Sequence, residues 1–547
     1  MTTQTRSAAW GTHLILTAII LVATFLPLTF INFEKIHPAE DAAMLMRYAV
    51  HLAEGYGIVW NKGEKPVDGA TDFLFMVMTA LLIKSGLTPE VAIRSLIFTA
   101  HLMSVLLIYL AGVLIFRVDH RIAFLASLLL VTSNGMFYVA TCFGAPVFAL
   151  FASAAWLCVM RMILVQSEWS WALAYGFFSL LTGLTRPEGV ILTFLMLIGL
   201  VIARGWRDTV IPAIAWFAFV VGLGGLYFLW RWDYFGHPLP NPFYKKGGGN
   251  LYLDGLRDSI QNFVGLNRLF IVLWVIAMLI VPTSRALYGM IIPILGFVFA
   301  FVLLSPEMNI KARFQYVTFP LMIIASFYAY QVIRESCKIS LNSLSADMRL
   351  VLGASLLLPL LILYRGYGDI RRSLPGHDSR YDVAVALSAY AHKGYHLAVT
   401  EAGLLPFYSR WKSIDTWGLN DSWIAHNGRI TDAYLDKHRP AIIMFHARYT
   451  PLTPVRRVDR WDEMVATLQS YARTRNYILA AVYTDMPYSS SAHWYYVRPD
   501  LEDTEALLRC IREVNYTYFL SGKRAIDLRD YVTEQPSEET SVNKARR

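Results

Sequence analysis

Residues 37–73 read HPAEDAAMLMRYAVHLAEGYGIVWNKGEKPVDGATDF and follow directly on the apolar run Leu14–Ile31. An apolar run of that length is typical of a helix that crosses a membrane. The stretch after it is therefore expected at a membrane surface, and it carries two adjacent carboxylates, Glu40 and Asp41. Ionised carboxylates are costly near hydrocarbon and are usually retained there for function. This acidic pair is the first candidate site.

The composition predicts an α-helical polytopic membrane protein. Of the 547 residues, 56% are hydrophobic and only 16% are charged, whereas a soluble chain carries about 25% charged residues. The net charge of +9 is spread over the loops and a basic tail. Such a distribution favours orientation in a membrane and contact with membrane lipids, and it argues against a nucleic-acid partner.

Eleven apolar runs are predicted to cross the membrane. They are Leu14–Ile31, Ser95–Phe116, Ile122–Ala140, Ala145–Leu164, Trp171–Thr185, Gly189–Ala203, Thr209–Trp230, Leu269–Val281, Ala286–Leu304, Val317–Ile333 and Leu350–Leu363.

The apolar segment Phe73–Ile83 is shorter, and the loop charges decide how it is interpreted. If it does not cross and the N-terminus is cytoplasmic, five basic clusters fall on the cytoplasmic side, as the positive-inside rule requires. If it does cross, all of them move outside. We therefore predict a re-entrant or surface helix, with a short tilted crossing as the alternative. The clusters are Arg117/Arg121, Arg161, Arg204/Arg207, Arg285 and Arg334/Lys338/Arg349.

The composition changes near Arg365, beyond which no run is long enough to span a bilayer. Short apolar strands then alternate with helical stretches, a pattern that indicates a small α/β domain. The predicted organisation is a transmembrane domain over residues 1–364, an extracytoplasmic α/β domain over residues 365–533 and a disordered tail over residues 534–547. The predicted strands are His396–Thr400, Ala441–Phe445, Tyr477–Tyr483 and Trp494–Val497, and the predicted helices are Tyr381–Ala391, Trp461–Ala472 and Asp503–Arg512.

Each motif on the predicted outer face has a plain explanation beside a functional one. Glu40 and Asp41 begin a helical stretch, where the helix dipole stabilises carboxylates, but they also suit a general base or a metal ligand. Arg47 lies two turns from Glu40 on the same face and suits a carboxylate or a phosphate. Arg186, between two apolar runs, is placed either to snorkel to lipid phosphates or to clamp a substrate phosphate. Lys245 and Arg313 suit an anionic headgroup.

Taken together, these residues resemble a known family. The acidic pair, Arg47-Tyr48 and GYGIVWNKGE with Gly69 and Thr71 resemble the first outer loop of GT-C glycosyltransferases. RWDYFGHPLPNPFYKK, the RPEG turn at Arg186 and VTEAGLLPFYSRWKSIDTWGLND are similar to other signatures of that superfamily. The resemblance spans nearly the whole chain. It is strongest to the bacterial arabinofuranosyltransferase branch, of mycobacterial cell-wall and pilin types.

This resemblance implies a polyprenyl-phosphate sugar donor, a glycan or protein acceptor such as cell-wall polysaccharide or pilin, and a site facing the periplasm from the bacterial inner membrane. By the matching motif, Asp41 takes the catalytic carboxylate role and Glu40 a supporting one. The need for a divalent cation is left open. The donor-phosphate candidates are Arg186, Lys245, Arg313 and Arg47, and the substrate-binding candidates are Asn61, Glu64, Asn241 and Tyr244.

Two other classes remain open. A transporter or flippase of lipid-linked sugars would normally show ionisable residues near the bilayer midplane and recognisable halves, whereas the acidic residues here collect at the predicted outer edge. A membrane scaffold would bind a partner through its α/β domain. The chemistry of transfer agrees with the residues, since cations must hold a departing phosphate and a carboxylate must accept the acceptor's proton. No glycine-rich nucleotide loop is evident in the sequence.

The predicted topology can be tested with reporters. A fusion after Gly368 should be active outside the cytoplasm and one at Ser343 inside, because the charge pattern fixes the order of crossings. A cytoplasmic signal after Gly368 would mean that the count is wrong by one. Ser85→Cys should then be labelled by an impermeant thiol reagent from outside the cell, as a non-crossing Phe73–Ile83 requires.

Overall fold

The computed structural model describes residues 3–165, 168–245, 250–305, 307–336, 357–455, 458–519 and 521–532. The chain divides into two compact units. The first comprises residues 1–34, 45–59 and 68–374, and the second comprises residues 35–44, 60–67 and 375–547. The predicted tail over residues 534–547 and the first half of the predicted crossing Leu350–Leu363 lie outside the described residues.

The first unit is helical, because its apolar runs satisfy their backbone hydrogen bonds internally. Its helix α2 begins in the second unit, with residues 40–44. The helices are α1 Thr3–Phe25, α2 Glu40–Ala53, α3 Phe73–Lys84, α4 Pro89–Leu110, α5 His120–Val131, α6 Gly135–Thr141, α7 Ala145–Leu164, α8 Trp169–Thr185, α9 Glu188–Arg204, α10 Trp206–Trp216, α11 Gly224–Phe235, α12 Asn241–Lys245, α13 Leu253–Ile280, α14 Arg285–Ala300, α15 Thr318–Ser336 and α16 Leu357–Ser373.

Seven of the described helical stretches are long and apolar enough to cross a membrane, so this is a multi-pass membrane protein. They are Gly11–Thr29, Pro89–Ile115, His120–Thr141, Ala145–Leu164, Trp206–Phe235, Leu253–Ile280 and Arg285–Leu303.

Other predicted crossings also form helices. The runs at Trp171–Thr185 and Gly189–Ala203 lie within α8 and α9, which have 17 residues each, and a helix needs about 20 residues to span hydrocarbon without local thinning. The count of eleven therefore stays a prediction. Helix α3 has only 12 residues, and at 1.5 Å per residue it is about 18 Å long. That length suits the predicted surface or re-entrant helix.

Helices α9 and α14 approach each other through facing glycines. A Cβ atom built on Gly199 would lie 2.2 Å from the Gly289 carbonyl oxygen, and one on Gly289 would lie 2.4 Å from the Gly199 carbonyl oxygen. In a membrane, the hydrophobic effect does not drive helices together, because lipid is as apolar as their side chains. Small residues at the interface let the backbones pack closely instead. This contact holds α9, which starts at Glu188, against α14.

The second unit is an α/β domain with a mixed sheet. Its main sheet has the strand order β2-β1-β3-β5-β4-β8, in which β2, β1 and β3 are parallel and the remaining pairs are antiparallel. The strands are β1 His396–Val399, β2 Lys412–Asp415, β3 Ile442–Ala447, β4 Ile478–Thr484, β5 Ala492–Val497, β6 Thr517–Tyr518, β7 Lys523–Arg524 and β8 Ile526–Asp527. The helices are α17 Arg380–Ser388, α18 Leu404–Ser409, α19 Ser422–Asn427, α20 Asp432–His438, α21 Arg460–Thr474 and α22 Thr504–Arg512.

The core of this unit lies between the sheet and α21. Phe445 and Trp494 face each other across the β3–β5 pair and pack with Leu468 of α21. All four strands and all three helices predicted from the sequence are present, with ends shifted by a few residues. The edge strand β2 was missed because it is short and begins at an exposed lysine, Lys412.

The close α9–α14 contact predicts that alanine destabilises the protein at Gly199 but not at a glycine outside the contact. Gly199→Ala forces a methyl group into the Gly289 backbone and should lower the thermal unfolding temperature of the detergent-solubilised protein, at a cost of about 1–3 kcal/mol. Gly265→Ala is the control, since a Cβ there meets nothing within 4 Å in the middle of α13. Equal unfolding temperatures for the two variants would contradict this packing.

Candidate functional site

Glu40 is held at the start of α2 by two sets of donors in the second unit. Its Oε2 accepts hydrogen bonds from the backbone amides of Gly403 and Leu404, at 2.6 and 3.1 Å. Its Oε1 lies 3.1 Å from Nη1 of Arg380. The Glu40 side chain is only 11% exposed. The carboxylate thus bridges the N-terminus of α2 and the β1–α18 loop.

Arg380, at the start of α17, is the centre of this cluster, and its side chain is 2% exposed. The guanidinium also pairs with Glu401 and with Asp378, whose Oδ1 accepts from Nε at 3.0 Å. Its Cζ lies 4.3 Å from the ring centroid of Phe519. One buried cation therefore serves three carboxylates, in an arrangement we call the Arg380 cluster: Arg380, Glu40, Asp378 and Glu401.

The two glutamates of the Arg380 cluster have pKa values that are shifted in opposite directions. Burial raises the pKa of Glu40 to about 7, and the charges of Glu401 and Asp378 add to that rise against the opposing effect of Arg380. Burial also acts on Glu401, but Arg380 and the hydrogen bond from His446 outweigh it and lower its pKa. His446 Nδ1 lies 2.7 Å from Glu401 Oε1. Glu401 is therefore the permanently ionised partner, and Glu40 titrates near neutrality.

Asp41 follows Glu40 in the first turn of α2 and is partly exposed. Successive side chains on a helix point about 100° apart, so Asp41 leaves the helix in a different direction from Glu40. The two carboxylates are thus in different environments. Glu40 is tied to the β1–α18 loop by the amides of Gly403 and Leu404, and the catalytic role of Asp41 stays a prediction.

Arg186 and Arg313 are brought together in the first unit, on one aromatic ring. Their Cζ atoms lie 5.1 and 5.0 Å from the centroid of Phe314, although they are far apart in sequence. Arg186 Nε donates to Glu188 at 2.6 Å, and its Nη1 lies 3.9 Å from Asp72. Two guanidinium groups at one place are suited to a doubly charged oxyanion such as a phosphate. We call Arg186, Arg313 and Phe314 the arginine pair site.

Asp72, which precedes α3, faces the arginine pair site. Burial raises its pKa, the charge of Arg186 opposes that rise, Glu188 adds to it, and Arg313 opposes it. The acid therefore partly neutralises the guanidinium charge in the resting protein. The distance of 3.9 Å between Arg186 Nη1 and Asp72 makes this a long ion pair.

A second polar group in the first unit joins Asp68 to the loop before α12. Asp68 pairs with Arg231, and its carbonyl accepts from the backbone amide of Asn241 at 3.0 Å. Burial raises the pKa of Asp68 to about 6, against the charge of Arg231. Lys245 is buried at the end of α12, and the neighbouring Tyr244 ring lies 6.4 Å from that of His237. Asp68 thus anchors the start of α12, the helix that carries Asn241, Tyr244 and Lys245.

Asn61 and Glu64 lie in the second unit, against the edge strand β2. The Asn61 side chain accepts from the Ser413 amide at 2.9 Å and donates to the Ser413 carbonyl at 3.1 Å. It thus makes the two hydrogen bonds that the backbone of a neighbouring strand would make with β2. Its amide nitrogen also donates to Glu64, 2.9 Å away, and Glu64 lies 3.5 Å from Lys412. Their predicted contact with substrate stays a prediction.

Arg47 is 5% exposed and lies on the α2 turns that belong to the first unit. Its role at a phosphate also stays a prediction. Among the described residues, no group of three or more His, Cys, Asp or Glu side chains is arranged to hold a metal ion. A divalent cation therefore has no site of that kind in the described part of the chain.

Several residues of these clusters were missed in the sequence. Arg380, Asp378 and Glu401 lie more than 330 residues from Glu40, and nothing in the sequence around Asp68 and Asp72 marks them as buried. The only local signal was Gly403 in the run VTEAGLLPFYSR, because a glycine between apolar residues often marks a close backbone approach.

Comparison with known proteins agrees with this architecture. Residues 369–498 match a family model described as a domain of unknown function, DUF8728, and no curated protein matches the sequence. Two solved structures are similar over most of their length. ArnT from Cupriavidus metallidurans, bound to undecaprenyl phosphate, aligns with TM-score 0.58 and 14% identity over 89% of this chain and 98% of ArnT.

The archaeal oligosaccharyltransferase AglB from Archaeoglobus fulgidus, in complex with an inhibitory peptide and a dolichol-phosphate, aligns with TM-score 0.52 and 12% identity. The alignment covers 92% of this chain and 77% of AglB. Both neighbours are GT-C superfamily glycosyltransferases. The chain therefore has the GT-C fold, a helical membrane unit followed by a C-terminal unit with a mixed sheet.

The Arg380 cluster predicts a large difference between two arginines of the second unit. Arg380→Met leaves three buried carboxylates without their cation and should destabilise the protein by about 3–5 kcal/mol. Arg475→Met removes an arginine whose partner is the exposed Asp436, and it should change stability little. Thermal unfolding of both purified variants at pH 8 checks this. The prediction fails if Arg380→Met unfolds at the same temperature as Arg475→Met.

Proposed function

We propose that this chain is a membrane glycosyltransferase that moves a sugar from a polyprenyl-phosphate donor to a glycan or protein acceptor. The observation that carries the proposal is the arginine pair site in the helical unit, where Arg186 and Arg313 share the ring of Phe314. The GT-C fold supports it, since the ArnT structure contains undecaprenyl phosphate and the AglB structure a dolichol-phosphate.

In the proposed reaction, an acceptor hydroxyl attacks the anomeric carbon of the donor sugar. The bond between that carbon and the phosphate oxygen breaks, and polyprenyl phosphate leaves with the bonding electrons. Asp41 accepts the hydroxyl proton as general base. Arg186 and Arg313 stabilise the charge that grows on the departing phosphate, and Lys245 and Arg47 are further candidates for that contact.

The finer assignments come from the sequence resemblance. It favours arabinofuranose as the sugar and a cell-wall polysaccharide or pilin as the acceptor. We propose that the active site and the α/β domain face the periplasm from the bacterial inner membrane. In a flippase of lipid-linked sugars, by contrast, the same cations would bind the donor but no glycosidic bond would form. Mass spectrometry of surface polymers and pilins from cells with and without this protein distinguishes the two.

Asp41→Asn tests the base. Transfer by the purified variant should fall by roughly 10²–10⁴-fold, the usual loss for a general base, while donor binding is retained. Asp254→Asn is the control, because it removes an exposed carboxylate from the first turn of another helix, α13. Near-normal turnover by Asp41→Asn in a radiolabelled-sugar transfer assay would contradict the assignment.

Donor titration in nanodiscs tests the phosphate contacts. Charged hydrogen bonds contribute roughly 1.5–3 kcal/mol each, so Arg186→Ala and Arg313→Ala should each weaken donor use by about tenfold to a hundredfold. Arg186→Lys should restore only part of the loss, since an ammonium group cannot reproduce a bidentate fork. Arg285→Ala, an exposed cation at the start of α14, is the control. If both alanine variants titrate like the wild type, the phosphate binds elsewhere.

A further inference from the structure

We propose that Glu40 is a positioning residue, which fixes the first turn of α2 through Gly403, Leu404 and Arg380 and so sets the direction of the Asp41 carboxylate. The inference rests on the proposed function, because it assigns to Glu40 the orientation of the group that accepts the proton. It separates the roles of the two adjacent acids by their contacts, and all of the residues involved belong to the second unit.

The Glu40 carboxylate is held at Oε2 by two backbone hydrogen bonds and at Oε1 by an ion pair. Oε2 receives two backbone N–H groups, from Gly403 and Leu404, and Oε1 faces the Arg380 guanidinium at 3.1 Å. A carboxylate held at both oxygens has little freedom to rotate. Because Asp41 is the next residue in the same helical turn, its backbone is fixed by the same contacts.

The β1–α18 loop approaches the start of α2 very closely at Gly403. A Cβ atom built on Gly403 would lie 2.3 Å from both the backbone oxygen and Oε2 of Glu40. Any side chain at residue 403 would therefore push the loop away from the start of α2. Glycine is present there because the hydrogen bond from its amide to Glu40 is only 2.6 Å long.

The Arg380 guanidinium is itself held in place by other residues. Arg380 is shared with Asp378 and Glu401, and Glu401 is in turn held by His446, whose Nε2 lies 2.5 Å from the Ser491 hydroxyl oxygen. A guanidinium with several carboxylate partners keeps one orientation, so Glu40 meets a rigid donor. This is the support that a catalytic group needs, since misplacement by about 1 Å costs on the order of a hundredfold in rate.

The same contacts make the positioning depend on pH. The titratable and charged groups that face Glu40 are Arg380 and Asp378 from the start of α17 and Glu401 from the β1–α18 loop. Burial raises the pKa of Glu40 to about 7, so the ionised form, which accepts from the two amides and pairs with Arg380, is lost as the pH falls below that value. Turnover of the wild type should therefore rise between pH 6 and pH 8.

The experiment uses the full chain in nanodiscs and compares Glu40→Gln, Gly403→Ala and the double variant. Each single change should lower kcat by about tenfold to a hundredfold with KM for the donor little changed, because the lost contact acts on the position of the base and not on donor binding. The double variant should lose little more than either single variant, since both changes break one contact. The rise in turnover between pH 6 and pH 8 should be absent in Glu40→Gln.

Two controls and one activity-independent measurement accompany the assay. Glu463→Gln alters an exposed acid in the first turn of α21, and in Gly368→Ala the nearest atom to the new methyl group is 3.7 Å away. Both should turn over like the wild type. Hydrogen exchange should be faster at the Ala43 amide, whose hydrogen bond to the Ala39 carbonyl closes the first turn of α2, in Glu40→Gln and Gly403→Ala, with the strands of the second unit unchanged.

The outcomes separate this inference from the proposed function. Wild-type kcat and a wild-type pH profile in Glu40→Gln would overturn the positioning role while transfer by the wild type stands. Loss of transfer in Glu40→Gln without faster exchange of the first α2 turn would overturn it too, because Glu40 would then act on the reacting atoms. If the wild type transfers no sugar from any polyprenyl-phosphate donor, the proposed function fails first, and the positioning role falls with it.

Discussion

The second unit depends on one buried arginine. Three carboxylates, those of Glu40, Asp378 and Glu401, meet the guanidinium of Arg380, whose side chain is almost fully excluded from solvent. Removing charges from water costs several kcal/mol per ion and is repaid only when geometry and further hydrogen bonds are favourable. Here the backbone amides of Gly403 and Leu404 and the ring of His446 supply those bonds. Burial is the main cause of the raised pKa of Glu40, and the negative charges of Glu401 and Asp378 add to it against the effect of Arg380.

In the helical unit, two arginines of like charge lie close together and pack against aromatic rings. Arg186 and Arg313 are like charges, and their repulsion is offset by Phe314, by the nearby acids Asp72 and Glu188, and by the rings of Phe148 and Phe143. A guanidinium over an aromatic face gains about 0.5–2 kcal/mol without a hydrogen-bond partner. This grouping of two guanidinium groups with aromatic rings and acids supports our proposal that a lipid phosphate binds here.

Much of the architecture could be predicted, because local patterns decide it. The apolar runs locate the helices of the first unit, and the alternation of strands and helices beyond residue 365 gives the longer elements of the second, whereas β2, the two-residue strands β6 to β8 and the short helices α18 to α20 were not predicted. The candidate site could be predicted only in part. Glu40, Asp41, Arg186 and Arg313 could be named as candidates because charged residues are scarce in this chain. Arg380, Glu401 and Asp72 were not, since a charged residue in a polar stretch carries no local sign that it will be buried or paired.

Hydrophobic run length and periodicity are properties of neighbouring residues, so the sequence predicts a membrane protein with a C-terminal α/β domain. The sequence also predicts an acidic pair at the start of a helix. The difference between the two acids, by contrast, comes from the folded chain. Glu40 and Arg380 are separated by 339 intervening residues, so their ion pair exists only once the second unit has folded. The burial that raises the pKa of Glu40, and the contacts that hold both of its oxygens, come from that fold and from no pattern in the chain.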